Sequence, residues 1–120
     1  MKIAFSTPGE SLDAPLDGRF GRTARFLVYD DEAGTIDVIE NRANLDAPQG
    51  AGIQAATRLA DAGVDVVITG HCGPKAFQVL RAAGIRVYLT DAPTIDKAYA
   101  LFKEGKLRPA EGPDTPAHWS

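Results

Sequence analysis

Val64-Asp65-Val66-Val67-Ile68-Thr69-Gly70-His71-Cys72-Gly73-Pro74-Lys75-Ala76-Phe77 sets the architecture of this chain. The β-branched run over 64–69 predicts a buried strand, too short for a helix. Two glycines then bracket His71 and Cys72. Pro74 stands where a first helical turn tolerates a missing N–H, so a helix over 74–83 follows, with Phe77, Leu80 and Ala83 inward and Gly84 at its end. Strand, tight turn and helix make one βα unit. Such a unit needs a parallel neighbour reached by a right-handed crossover, and Ile85-Arg86-Val87-Tyr88-Leu89 provides it.

Upstream, strands are predicted over 2–6, 25–29 and 35–40. The second and third are joined by Asp30-Asp31-Glu32-Ala33-Gly34, a short turn closing an antiparallel hairpin. A helix over 52–62 buries Ile53, Ala56, Leu59 and Ala60 and stops at Gly63. A last helix starts at Thr94 as N-cap, carries Ile95, Ala98, Tyr99 and Phe102 on one face, and ends at Gly105. The order β-ββ-α-β-α-β-α gives a single α/β domain: a five-stranded mixed sheet, one strand antiparallel, flanked by about three helices. With the first strand central, the connections after strands one, three, four and five open on one rim. A topological switch point lies between the first and fourth strands, where open α/β sheets bind ligands. Pro109, Pro113 and Pro116 mark 108–120 as a tail on a domain spanning 1–107.

The 120 residues are 44% hydrophobic and carry a net charge of −3, which suits one globular core and argues against a nucleic-acid partner. The densest apolar run falls far short of the roughly 20 residues a membrane span needs. The first residues lack a signal-peptide core and a single Cys allows no internal disulfide, so a cytoplasmic location is expected. One Cys and two His cannot supply the four soft or imidazole ligands of a closed zinc or iron–sulfur site.

Three segments fall on the rim. The connection over 7–24 far exceeds the usual loop of about 4–6 residues. Within it, Leu16-Asp17-Gly18-Arg19-Phe20-Gly21-Arg22 offers two guanidinium groups, an aromatic face and close backbone approach to an anion. The alternative is an ordered Ω-loop whose arginines pair with Glu10, Asp13 and Asp17 while Phe20 plugs the core. In Gly70-His71-Cys72-Gly73 a helix N-terminus supplies donors, and Cys72 and His71 are candidate metal ligands; equally, a lone Cys is a small core residue and a lone His a surface one. Asn44 through Gly52 holds Gly50-Ala51-Gly52, a weak anion-nest signal without the full dinucleotide fingerprint. His118-Trp119 belongs to the tail. No catalytic constellation emerges: Gln78 stands where a Cys-x5-Arg phosphatase needs Arg, no Gly-x-Ser-x-Gly elbow occurs, and no carboxylate lies between Lys2 and Thr7 for a two-metal nuclease. The chain is expected not to be an enzyme.

Asp17-Gly18-Arg19-Phe20-Gly21-Arg22, Phe26-Leu27-Val28-Tyr29-Asp30, Gly50-Ala51-Gly52, the run from Gly63 to Gly70, Gly73-Pro74-Lys75-Ala76-Phe77 and Phe102-Lys103-Glu104-Gly105-Lys106-Leu107 together resemble the dinitrogenase iron–molybdenum cofactor biosynthesis family. The resemblance implies a ribonuclease H-like domain without nuclease residues. It further implies binding, carrying or assembly of molybdenum–iron–sulfur cofactors or, as in the orange proteins, a molybdenum–copper sulfide cluster, with association to a P-loop ATPase. A cluster that brings its own sulfide ligands fits a chain so poor in soft donors. Arg19 stands where nitrogenase cofactor carriers of this family often have His. The site expected is therefore Arg19, Phe20, Gly21, Arg22, Gly70, His71, Cys72 and Gly73, with His71 and Cys72 as metal ligands. The alternative is a metal-free module that docks a P-loop ATPase or cofactor-assembly factor.

Overall fold

The computed structural model describes residues 1–41 and 50–110. Among them run β1 (Lys2–Thr7), β2 (Arg25–Asp30), β3 (Thr35–Glu40), α1 (Ala51–Asp61), β4 (Val66–Thr69), α2 (Pro74–Ala82), β5 (Arg86–Leu89) and α3 (Ile95–Lys103). The five strands form one sheet in the order β3-β2-β1-β4-β5. β2 is antiparallel to both β1 and β3, whereas β1, β4 and β5 are parallel. The expected central position of β1 is found, and Ile3 through Thr7 are buried as a strand covered on both faces must be.

Alternate residues of β1, β2, β4 and β5 feed two cores. Ala4, Phe26, Val28, Val67 and Val87 pack with Leu59 of α1 and Phe77 and Leu80 of α2. Ile3, Phe5, Leu27, Val66, Ile68 and Tyr88 pack with Ile95 and Ala98 of α3. Burial of these apolar faces stabilises the domain at roughly 25 cal/mol per Å² removed from water.

The helices α1, α2 and α3 end alike. Gly63, Gly84 and Gly105 take φ between 72° and 78°, and the residue after each returns its N–H to the last helical turn: Val64 to Leu59 O at 3.2 Å, Ile85 to Leu80 O at 2.9 Å and Lys106 to Leu101 O at 2.9 Å. This explains why β4 begins two residues later than the apolar run. Val64 completes the cap, and Asp65 joins Lys2 by reciprocal hydrogen bonds of 2.8 Å before the ladder starts. Residues beyond 107, expected to form a tail, also find a place. Pro109 bridges Tyr88, and the Ala110 N–H donates to Val87 O at 2.7 Å, covering part of the β5 edge. His118, Trp119 and the expected loop at 44–49 lie outside the described residues. Among the described residues no helix is long and apolar enough to cross a membrane.

Candidate functional site

The long connection between β1 and β2 does two jobs. Its first half seats α3: the N–H groups of Ile95 and Asp96 donate to Ala14 O at 3.0 Å and Leu12 O at 2.8 Å, filling donors that a helix start leaves over. Its second half crosses the rim above β1 and β4. There Asp17 N–H donates to Ser6 O at 2.7 Å, the Ser6 hydroxyl donates to Asp17 O at 2.6 Å, and Thr69 Oγ1, 2.7 Å away, gives its proton to Ser6 Oγ. Arg19 then forms a parallel bridge with His71, and Phe20 N–H donates to His71 O at 3.1 Å. The two segments singled out in the sequence therefore meet at one end of the sheet.

Glycines make that approach possible. A Cβ on Gly70 would lie 2.7 Å from Gly18 Cα and 2.8 Å from Gly18 O, both backbone atoms. A Cβ on Gly21 would lie 3.0 Å from Gly52 Cα at the start of α1. Gly70 thus draws the β4 exit under the loop, and Gly21 draws the loop against α1.

Beside the Gly21–Gly52 contact opens a cavity of about 300 Å³, lined by Gly21, by Gly50, Gly52 and Ile53 from the start of α1, and by Gly73, Pro74, Lys75 and Ala76 from the start of α2. That volume is at the small end for ligand sites. The Gln54 N–H returns to Gly50 O at 2.9 Å and Phe77 N–H to Gly73 O at 2.9 Å, so the N–H groups of Gly52, Ile53, Lys75 and Ala76 have no acceptor within their own helices. Neither Gly50 nor Gly73 offers a side-chain cap. Two positive helix ends therefore share one hollow, with the exposed Lys75 at its wall and the exposed Arg19, Arg22 and His71 on the neighbouring turns. Arg19 Nε lies 3.7 Å from Asp17 Oδ1, which tempers one of these charges.

Two expected site residues face elsewhere. Phe20 is 1% exposed and packs on Phe26 with ring centroids 5.1 Å apart, so it plugs the core and presents no stacking face to a ligand. Cys72 is 2% exposed and belongs to the apolar cluster with Ala76 and Phe77. His71 is held in extended backbone by its bridge, and successive side chains of extended chain point to opposite sides; with the imidazole outward the thiol turns inward. Gly50, Gly52, Ile53 and Lys75 were absent from the expected set, although Gly50-Ala51-Gly52 at a helix start carried a signal for the first two. A larger cavity, about 620 Å³, opens at the opposite rim, but Lys2 and Arg86 there face Asp30, Glu32 and Asp65, and mixed charge gives an anion little net attraction.

The domain is a five-stranded mixed α/β sheet whose glycine-walled hollow lies between two helix starts, beyond the carboxyl ends of the parallel strands, the place where open α/β sheets commonly bind ligands. The chain belongs to the dinitrogenase iron-molybdenum cofactor family, which it matches over residues 1–105. The apo form of the orange protein from Desulfovibrio gigas is 41% identical and superposes with a TM-score of 0.91, over 95% of this chain and 96% of that one. The Thermotoga protein TM1290 is 32% identical with a TM-score of 0.79, over 92% and 98% of the two chains. The protein MJ0580 of Methanocaldococcus jannaschii is 36% identical over 114 residues, 92% of each chain. Membership of the family connects the chain with a cofactor-related role.

Proposed function

We propose that this protein is a non-catalytic carrier or assembly accessory that holds an anionic molybdenum-containing metal–sulfur cluster at the rim. The observation that carries the proposal is the convergence of two helix N-termini without side-chain caps on one glycine-walled cavity, lined also by Lys75 and by Gly21 of the loop that carries Arg19 and Arg22. Each helix N-terminus favours a nearby negative charge by about 0.3–1 kcal/mol where exposed, more where water is partly excluded. Guanidinium groups add charge without competing for the metals. Such a donor set fits a cluster whose sulfides already complete its coordination. His71 is the accessible side chain that can add a direct nitrogen ligand, whereas the Cys72 thiol is turned into the core. Membership of the family and likeness to the orange protein support a molybdenum-containing cargo.

The test is reconstitution with molybdate, copper(I) and sulfide, followed by gel filtration. A visible absorption band should travel with the wild-type protein. The double variant Arg19→Gln/Arg22→Gln should retain about tenfold less of it at low salt, with the difference shrinking as salt screens exposed charges. Equal retention by both proteins would refute a role for the arginines.

A further inference from the structure

We infer that Asn41 is a positioning residue for the anion site: its buried amide holds the carbonyls of Gly21 and Thr23, which flank Arg22, inside the molecule and away from the ligand. The inference rests on the anion-binding reading above. Asn41 stands one residue beyond β3 and is fully buried. Its backbone N–H extends the hairpin ladder by one step, donating to Ala24 O at 2.9 Å. The side-chain Nδ2 donates to Thr23 O at 2.9 Å and, more loosely, to Gly21 O at 3.4 Å, so both amide hydrogens are spent on the two residues around Arg22. Thr23 is held from its other side as well, its Oγ1 lying 3.0 Å from both Thr7 O and Arg25 O.

The chemistry of an amide explains the choice of residue. A carbonyl oxygen is the negative end of its peptide dipole, and one facing an anion repels it. In a trans peptide the C=O and the following N–H point in opposite directions. Anchoring Gly21 O on Asn41 therefore turns the Arg22 N–H the other way, out of the amide's pocket. Gly21 is also the residue pressed on Gly52 at the cavity wall. One buried side chain thus fixes both the wall and the backbone from which the Arg22 guanidinium projects. An aspartate at 41 has nearly the same shape but accepts where the site needs donation, so it sets a carboxylate against two carbonyls.

The experiment titrates thiomolybdate, formed from molybdate and sulfide, into wild-type protein, Asn41→Asp, Arg22→Ala and the double variant. Circular dichroism checks that each is folded. Asn41→Asp is expected to bind about tenfold more weakly than wild type; in the Arg22→Ala background the share of that loss exerted through the guanidinium disappears, so the double variant should lose clearly less than the product of the two single losses. Should Asn41→Asp fail to fold, Asn41→Ser, whose hydroxyl can satisfy only one carbonyl, is expected to show the same non-additive loss at smaller size. Wild-type affinity in the folded Asn41 variant, or losses that multiply in the double variant, would overturn the inference. If wild-type protein itself takes up no thiomolybdate, the anion-binding reading fails instead.

Discussion

Cys72 and His71 are neighbours in sequence and opposites in environment. The thiol lies in an apolar cluster with Ala76 and Phe77, while the imidazole is exposed beside Arg19. Cys72→Ala should therefore leave cluster uptake unchanged and lower stability by about 1 kcal/mol. Cys72→Ser should cost more, about 1–3 kcal/mol, because a hydroxyl enters the same apolar surroundings. Denaturant midpoints of the two variants, together with their visible spectra after reconstitution, check both statements; a colourless Cys72→Ala would restore the thiol as a ligand. The residue types of this turn were legible in the sequence, but their facing was not. Two glycines around a His-Cys pair announce close backbone approach, and either residue could have taken the outward side. Asn41 carried no signal at all, since the partners that give it a role, Gly21 and Thr23, reach it only through the tertiary fold.

Single secondary-structure elements can be tested separately from the site. Gly84 closes α2 at φ 78°, and beyond its chain neighbours no atom lies within 4 Å of where an added Cβ would sit. The cost of Gly84→Ala is then the left-handed backbone alone. That should be about 1–2 kcal/mol in thermal or denaturant unfolding, with thiomolybdate affinity unaltered. A larger loss, or weaker binding, would mean that the cap does more than end a helix. The hairpin gives a pH signature. The N–H of Ala33, followed by that of Glu32, holds the Asp30 carboxyl below the ordinary aspartate range, although desolvation opposes them. A depressed carboxyl contributes its full stabilisation above the unfolded-state value of about 3.9, and that contribution disappears as pH falls through the lower folded value. Asp30→Asn should therefore flatten the fall in hairpin stability on acidification below about pH 4, read from amide exchange at Ala33; an unchanged acid profile would contradict this. Strands and helices were visible in the sequence because their apolar periods are regular. The shift of the β4 start to Val66 was not, because the cap that claims Val64 is set by a helix end.

At the scale of the molecule, the sheet order follows from connection lengths. A short turn forces β2 and β3 together, and the helical crossover between β4 and β5 makes them parallel; β1 joins the two pairs at the centre, the position expected for it from the sequence. The rim was thus predictable as a place. Its depth was not, because the hollow between α1 and α2 depends on Gly21 meeting Gly52 at the far end of a long connection and on Gly52 lying close to Ala76. The opposite rim offers the larger opening but balanced charge. An anion should distinguish the two ends, and amide NMR shifts during a thiomolybdate titration locate it directly. Binding at the rim predicts shifts at Gly21, Gly52, Ile53, Lys75 and Ala76 with Lys2, Asp65 and Arg86 unmoved; shifts confined to Lys2, Asp65 and Arg86, or none anywhere, would contradict it.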